Sequence, residues 1–268
     1  MKEPIDFIAK NRDGWNQRTP HHVNADFYDM AHFLAGNTSL KSIELGLLGE
    51  VQGKNILHLQ CHFGQDTLSL ARMGAKCTGI DLSDVAIAKA RQLNEQLNLD
   101  TYFVCCNIYD LPQHLDQQFD IVFTSYGTIG WLPDLDKWAS IIHRFLKPNG
   151  RFVFAEFHPV VHMYDADFST IQYAYFKQDA FEEIDQGTYA DQDAPITVTS
   201  VTWDHSLSEV FTALLKKGLQ ITQFQEFDYS PYPCFNHLEE VEKGKFQVKH
   251  FGNKIPMVYA LEAIKVGG

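Results

Sequence analysis

The sequence predicts an α/β fold built on a doubly wound, parallel β-sheet. The first observation is a strand, turn, helix and second strand within residues 55–81, the outline of a βαβ unit. The second is that apolar, strand-like runs and helix-periodic segments continue to alternate up to residue 156. The third is size, because 268 residues that are 45% hydrophobic can bury one substantial core.

The first βαβ unit predicts a nucleoside site. Residues 56–59 form a short apolar strand, Gly64 opens a helix over 66–73, and a second strand over 77–80 ends at Asp81. Helix-opening N–H groups are unpaired, and a carboxylate at the tip of the second strand can accept both hydroxyls of a ribose.

The glycine pattern of this unit disfavours a dinucleotide. A dinucleotide site shows G-x-G-x-x-G, whereas this chain has Gln60, His62 and Gln65, with Gly64 as the only glycine. A pyrophosphate needs glycines for close approach of the backbone, so nicotinamide and flavin dinucleotides are disfavoured and a nucleoside without phosphates remains allowed.

The rest of the chain continues the pattern and closes with a helix and two strands. The periodic stripe Ala86, Ala90, Leu93 and Leu97 predicts the second helix, and Ser206 to Glu209 has the form of a capping box. The further predicted elements are a helix over 84–97, strands over 102–105 and 119–124, a helix over 135–146, a turn at 148–150, strands over 152–156 and 196–203, a helix that ends at Gly218, and strands over 219–227 and 256–265.

The order of these motifs resembles the class I S-adenosylmethionine-dependent methyltransferases. The resemblance covers residues 53–159, and residues 206–266 resemble the family's final helix and strand pair. It implies a seven-stranded, mostly parallel sheet with the last strand antiparallel, and it implies S-adenosylmethionine as the cofactor.

The family's first motif is a variant in this chain. An acid-x-Gly-x-Gly-x-Gly pattern falls on His58, Gln60, His62 and Gly64, so only the last glycine is kept. The chain resembles a subgroup of small-molecule methyltransferases in which LHLQCHFG stands in place of LDLGCGxG. In the family this loop passes the methionine part of the cofactor, which here implicates Gln60, Cys61, His62 and Gly64.

The resemblance also implies the other cofactor contacts. Asp81 matches the ribose-binding acid, with Leu82 beside the adenine. Asn107 and Ile108 match the pair that meets the adenine edge, with Asn in place of the more usual Asp, and an amide can still hydrogen-bond there. The methyl end of the cofactor and the acceptor are expected near Thr124 and Ser125. The candidate cofactor-binding residues are therefore Tyr28, Gln60, Cys61, His62, Gly64, Asp81, Leu82, Asn107, Ile108 and Ser125.

We expect a single domain of four parts. Residues 1–52 form a helical lid, in which Tyr28 or Trp15 either touches the cofactor or packs the lid onto the core. Residues 53–158 form the cofactor-binding core. Residues 159–205 form an insertion rich in Tyr and Phe that roofs the substrate pocket, and residues 206–268 supply the final helix and strand pair.

A catalytic side chain is not required by the chemistry alone. Methyl transfer from a sulfonium is an in-line displacement, and a general base is needed only when the acceptor must lose a proton. The candidate base is His158, with Glu156 and His162 as further candidates, and each could instead be structural. The spacing of His158 and His162 is metal-like, but no third ligand is in register, so no metal is expected.

Composition restricts partners and location. The formal charge of −12 and the absence of a basic run make nucleic acid an unexpected partner. No run of ~18 apolar residues could span a bilayer, and charges in the first ten residues do not fit a signal peptide. Five cysteines without a C-x-x-C pair favour neither disulfides nor zinc, so we expect a reducing, cytoplasmic location.

The sequence therefore predicts S-adenosylmethionine-dependent methylation of a small molecule. Residues 124–131 read TSYGTIGW and lack the Pro-Pro-aromatic motif of enzymes that methylate DNA bases or glutamine amides. The acceptor atom stays open between oxygen, nitrogen, sulfur and carbon. Two alternatives also stay open: a non-catalytic protein that binds S-adenosylmethionine or S-adenosylhomocysteine, and a nicotinamide-dependent oxidoreductase.

Overall fold

The computed structural model describes residues 6–267. The first five residues of the predicted lid, which also carry part of the signal-peptide argument, lie outside the described residues. The last residue of the predicted final segment, Gly268, lies outside them as well.

A seven-stranded sheet forms the centre of the molecule. Its strands lie in the order β3-β2-β1-β4-β5-β11-β8, and only β11 runs antiparallel to its neighbours, β5 and β8. This confirms the predicted fold class. The strands are β1 (Asn55–His58), β2 (Lys76–Asp81), β3 (Tyr102–Cys105), β4 (Phe119–Ser125), β5 (Leu146–Phe157), β6 (Phe181–Gln186), β7 (Thr197–Thr202), β8 (Leu219–Phe227), β9 (Leu238–Glu242), β10 (Lys245–Val248) and β11 (Val258–Lys265).

Helices cover both faces of this sheet, as a doubly wound fold requires. One face packs against α6 around the fully buried Trp138, and the other packs against α3 through Leu48. The helices are α1 (Phe7–Asn24), α2 (Met30–Leu34), α3 (Ser42–Leu48), α4 (Gln65–Arg72), α5 (Asp84–Gln96), α6 (Leu135–Phe145) and α7 (Leu207–Lys216). None of the helices within residues 6–267 is long and apolar enough to cross a membrane.

The strand order reverses between β1 and β4. The chain runs outward from β1 through β2 to β3, then returns to the other side of β1 to place β4 and β5. Ligands of such sheets bind outside the carboxyl ends of the strands at this reversal. The loops after β1 and β4 therefore mark the expected site.

Three local expectations differ from the structure. The predicted turn at 148–150 lies inside β5, which begins at Leu146 and shifts its register against β4 there. The capping box of α7 is half formed, because Ser206 accepts the N–H of Glu209 while the Glu209 carboxylate lies 3.0 Å from His205 Nδ1. Residues 228–255, to which no element was assigned, contain the β9–β10 hairpin.

The N-terminal helix and the insertion form one layer over the sheet edge. The side-chain amide of Asn11 in α1 donates to the backbone oxygen of Val201 in β7 and accepts its N–H, both at 2.8 Å. Arg18 donates to Asp185 of β6 at 2.9 Å and to Ser200 of β7 at 2.8 Å. A buried amide that satisfies both backbone groups of one strand residue fixes the helix against the hairpin.

Candidate cofactor-binding and active site

One cavity of about 770 Å³ lies at the carboxyl edge of the sheet, where the strand order reverses. All ten residues predicted to bind the cofactor contribute to its wall. They come from five separate segments of the chain: Tyr28 from the N-terminal segment, Gln60, Cys61, His62 and Gly64 after β1, Asp81 and Leu82 at the end of β2, Asn107 and Ile108 after β3, and Ser125 at the end of β4.

The loop after β1 has the backbone conformation of a glycine-rich loop, although two of its three glycine positions carry other residues. Gln60, His62 and Gly64 all have positive φ angles, of 53°, 51° and 83°. These are the three positions at which the family motif has glycine. A left-handed conformation costs a residue with a Cβ roughly 1–2 kcal/mol, so Gln60 and His62 store strain in this loop.

Gly64 is required by packing as well as by its φ angle. A Cβ at this position would lie 2.9 Å from the Phe103 ring of β3 and 3.0 Å from the Cβ of Ala90 in α5. Gly64 also precedes the first residue of α4. The one glycine that the motif retains is therefore the one that brings α4 close to its neighbours.

Asp81 is positioned by two backbone donors. Its carboxylate accepts the N–H of His62 at 2.8 Å through one oxygen and the N–H of Ser83 at 2.8 Å through the other. Burial raises the pKa of Asp81 to about 6, against the lowering effect of these bonds. Each oxygen keeps a free lone pair, which suits a ligand that presents two hydroxyl groups.

The residues after β3 leave a donor at the predicted adenine edge. The side-chain oxygen of Asn107 accepts the N–H of Tyr109 at 3.1 Å and so caps the short helical turn over Ile108–Gln113. This bond leaves the amide NH₂ of Asn107 as a hydrogen-bond donor. Ile108 is buried beside it.

Aromatic side chains of the N-terminal segment cover the β1 loop. The ring of His62 lies 5.2 Å from Trp15, 5.2 Å from His22 and 5.5 Å from Tyr28, measured between ring centroids. Burial lowers the pKa of His22 to about 3 and holds that of His62 well below its usual value. Both rings are therefore neutral at pH 7. The Tyr28 hydroxyl bonds that of Tyr189, which comes from the insertion.

The cavity has an aromatic wall in addition to the predicted cofactor residues. Two aromatic residues of the insertion line it, whereas most of its other aromatic residues lie elsewhere. The segment between β8 and β9 completes the wall and was not predicted, although its sequence YSPYPCF carries the signal of clustered aromatics. The wall comprises Phe7, Phe27, Tyr126, Trp131, Phe157, Tyr189, Trp203, Tyr232 and Phe235.

The first residue after β4 connects the cavity to a buried carboxyl group. Tyr126 has a positive φ of 47°, and its hydroxyl donates to Glu44 of α3 at 2.7 Å. Glu44 is 0% exposed, and burial raises its pKa to about 7. Burial likewise raises the pKa of Asp66, which accepts a hydrogen bond from Ser39 at 2.6 Å. No signal in the sequence pointed to this pair of carboxyl groups.

Of the three candidate bases, Glu156 is surrounded by hydrogen-bond donors, most of them backbone N–H groups. Its carboxylate accepts the N–H groups of Gly127, Thr128, Ile129 and Phe157 and the hydroxyl of Thr128. Burial raises the pKa of Glu156, and these donors act against that rise. The carboxylate therefore holds the loop after β4 in place.

The two candidate histidines differ in their position relative to the cavity. His158 does not line the cavity; its Nδ1 accepts the N–H of Val160 at 3.2 Å, and its Nε2 lies 3.0 Å from the Glu226 carboxylate. Because both ring nitrogens are engaged, the geometry gives His158 a role in joining β5 to β8. His162 does line the cavity, and burial lowers its pKa to about 4.

His58 occupies the acid position of the family motif. Its Nδ1 lies 2.8 Å from the hydroxyl of Thr67 in α4, and burial lowers its pKa to about 3. It is therefore a neutral, hydrogen-bonded interior histidine. Among residues 6–267, no group of three or more His, Cys, Asp or Glu side chains is arranged to hold a metal ion.

The fold and the cavity together define an α/β protein with a cavity at the reversal of strand order, and comparison with known proteins shows what the chain is similar to. Residues 57–154 match the family described as "Methyltransferase domain". An uncharacterized methyltransferase of Synechocystis sp. is 32% identical over 126 residues, which are 47% of this chain and 57% of that protein. A ubiquinone biosynthesis O-methyltransferase of Pseudomonas syringae pv. tomato is 30% identical over 105 residues, 38% of this chain and 44% of that protein.

Similarity of fold extends over the whole chain. Geranyl diphosphate C-methyltransferase from Streptomyces coelicolor A3(2), solved with Mg²⁺, geranyl diphosphate and S-adenosyl-L-homocysteine, has a TM-score of 0.61 at 16% identity, with 99% of this chain and 100% of that chain covered. Residues 57–154 thus resemble a methyltransferase domain, and the chain has the fold of an enzyme that was solved with S-adenosyl-L-homocysteine. In sequence, it spans about half the length of the curated relatives that it matches.

Proposed function

We propose that this protein transfers a methyl group from S-adenosylmethionine to a small-molecule acceptor by in-line displacement. The observation that carries the proposal is the single cavity that unites all ten predicted cofactor residues with an aromatic wall. Its volume of about 770 Å³ lies within the range of roughly 300–1,000 Å³ that is typical of small-molecule sites.

The strand tips supply the groups that would hold the cofactor. Asp81 accepts the ribose hydroxyls, the amide of Asn107 donates to the adenine edge, and Leu82 and Ile108 pack against the base. When bound, S-adenosylmethionine supplies a methyl group activated by the positive charge on sulfur. The chain then has to align the acceptor with that methyl group and exclude water, which can contribute about 7–11 kcal/mol in favourable cases.

The four parts of the domain have separate roles in this proposal. The core carries the cofactor residues, the N-terminal segment covers the β1 loop through Trp15 and Tyr28, and the insertion adds Tyr189 and Trp203 to the acceptor wall. Residues 206–267 add the two final strands and, between them, the aromatic segment of Tyr232 and Phe235.

The acceptor class follows from the walls of the cavity. An aromatic wall favours a planar or partly apolar molecule, and a net charge of −12 disfavours a polyanion. The names of two similar proteins, a ubiquinone biosynthesis O-methyltransferase and a geranyl diphosphate C-methyltransferase, support an acceptor of small size.

For an acceptor that must lose a proton, Tyr126 and Glu44 offer a route. The Tyr126 oxygen can take the acceptor's proton while the Tyr126 hydroxyl passes its own proton to the Glu44 carboxylate, 2.7 Å away. Glu44 with a pKa of about 7 is suited to this exchange near neutral pH.

Thermal unfolding with saturating S-adenosylmethionine, S-adenosylhomocysteine or NAD tests the first half of the proposal. A ligand at 100 times its dissociation constant adds about 2.7 kcal/mol, which for a chain of this size raises Tm by roughly 5–10 °C. We expect this rise with both adenosyl ligands and none with NAD. A rise with NAD alone would favour the oxidoreductase.

Turnover tests the second half. Formation of S-adenosylhomocysteine is measured against a panel of phenols, amines, thiols and prenyl compounds, and one acceptor is expected to support continued turnover. Tight cofactor binding with no turnover on any acceptor would favour the non-catalytic binding protein.

A further inference from the structure

One of the two residues that replace motif glycines, His62, lies against the N-terminal segment, whereas the side-chain amide of Gln60 donates to the backbone oxygen of Thr128 at 2.8 Å. His62 adopts a φ angle that glycine adopts without strain, and its side chain contacts the rings of Trp15, His22 and Tyr28. A glycine at this position would make none of these contacts. The strain in the β1 loop is therefore coupled to the packing of α1 over the cavity.

Two imidazole nitrogens of this interface have no hydrogen-bond partner within residues 6–267. They are His22 Nε2 on α1 and His62 Nε2 in the β1 loop, and both are buried. Neither imidazole is therefore held in place by a hydrogen bond through Nε2, and the two rings meet through aromatic contact.

The N-terminal segment and the insertion meet over the cavity. Trp15, Tyr28 and Tyr189 line the cavity, and the last two are joined by a hydroxyl contact. The ring centroids of His22 and His62 lie 5.2 Å apart, with Arg18 and His21 as the nearby basic groups on α1. Tyr28 and Tyr189 face His22, and the Asp81 carboxylate accepts the backbone N–H of His62.

We propose that His62 and His22 form a latch that holds the N-terminal segment closed over the bound cofactor, and that the latch closes only when both imidazoles are neutral. His62 is then a positioning residue, since it acts through Trp15 and Tyr28. This inference rests on the proposed function because it assigns the retention of that cofactor.

Acid should open the latch. Burial lowers the pKa of His22 from 6.5 to about 3, and that of His62 is lowered as well. A group whose pKa is lowered on closure favours the closed form above its open-state pKa, and this contribution is lost as pH falls through 6.5. Between pH 7.5 and 5.5 closure should weaken about tenfold for each histidine that titrates.

The test is the dissociation rate of S-adenosylhomocysteine from the full chain, measured between pH 5.5 and 7.5 in the wild type and three variants. His62→Gly removes the latch and relaxes the backbone, so we expect dissociation about tenfold faster at pH 7.5 and a weaker dependence on pH. His237→Gly is the matched control. His237 is exposed, has a φ of 56° and lies 3.0 Å from Asp167, away from the cavity. It should behave as the wild type.

His22→Phe isolates the titration and keeps an aromatic ring in place. Asp81 titrates in the same pH range, so the contribution of His22 is the difference between the wild type and this variant. We expect His22→Phe to flatten the pH dependence of dissociation by about tenfold over the range. Equal rates in His62→Gly and the wild type, or an unchanged pH slope in His22→Phe, would overturn the latch. A wild type that binds no S-adenosylhomocysteine would instead overturn the proposed function.

Discussion

Glu156→Gln should destabilise the protein strongly, although within residues 6–267 Glu156 makes no ion pair with a basic side chain. One carboxylate oxygen accepts the N–H groups of Gly127 and Phe157, and the other accepts those of Thr128 and Ile129 together with the Thr128 hydroxyl. The amide of glutamine presents an NH₂ group to one of these two sets. At least two of these N–H and O–H donors would then face the NH₂ group, which is itself a donor. Water cannot compensate for them, because residue 156 is only 3% exposed.

The expected cost is about 3–5 kcal/mol, which is the range for removing one side of a buried charged interaction. At about 2–4 °C per kcal/mol this corresponds to a decrease in Tm of roughly 6–20 °C. Urea unfolding followed by circular dichroism gives the free energy of unfolding. Glu182→Gln, at an exposed residue of β6 that pairs with Lys10, is the matched control and should change it by less than about 1 kcal/mol.

A loss of less than 1 kcal/mol in Glu156→Gln would refute the view that this carboxylate organises the loop after β4. If the variant instead kept its stability and lost only methyl transfer, Glu156 would be a general base. These two outcomes are separated by measuring unfolding and turnover on the same preparation.

Three further changes test separate parts of the structure. Asp81→Asn should weaken S-adenosylhomocysteine binding about 10–100-fold by calorimetry at pH 8, and equal affinity would contradict the ribose contact. The Tm of the free protein should fall as well, because the amide NH₂ would face the backbone N–H of His62 or of Ser83. Asn11→Ala should lower the free energy of unfolding by about 2–4 kcal/mol, because it leaves both backbone groups of Val201 unpaired. The pKa of Glu44 is raised from 4.5 to about 7 in the folded state, so the folded protein holds the Glu44 proton more tightly than the unfolded chain does. The stability gained from this proton is fully present below pH 4.5 and is lost as pH rises through 7. Between pH 5 and pH 8 the free energy of unfolding of the wild type should therefore fall by about 2–3 kcal/mol relative to that of Glu44→Gln. Parallel dependence of the two stabilities on pH would contradict this.

The strands and helices of the core were predictable because their patterns are local. The apolar runs at 56–59 and 119–124 and the periodic stripe of α5 depend on residues a few positions apart. Element boundaries accordingly differ from the prediction by one or two residues at most positions. The turn predicted at 148–150 lies within β5, where the register passes from Leu146 paired with Phe119 to Arg151 paired with Ile121. The extension of the strand to Leu146 depends on this pairing with β4, which is not visible in a local pattern.

The cofactor end of the cavity was also predictable, since parallel strands place their carboxyl ends at one edge. Asp81, Asn107 and Ser125 each follow or end a strand, and the structure brings them to the same cavity. The acceptor end was only partly predictable. Tyr232 and Phe235 lie more than a hundred positions from β4, and nothing in their immediate sequence indicates where the segment folds back.

The sequence by itself determined most strands and helices of the core and the residues at the strand tips, because these follow from local periodicity and from motif spacing. Only the tertiary structure decided what the side chains at those positions do. In the folded protein both ring nitrogens of His158 contact partners, Val160 and Glu226. The Glu156 carboxylate accepts backbone N–H groups, and the Tyr126 hydroxyl donates to Glu44. Burial and hydrogen-bond partners come from distant segments, so the protonation state and role of a side chain are set by packing and not by its place in the chain.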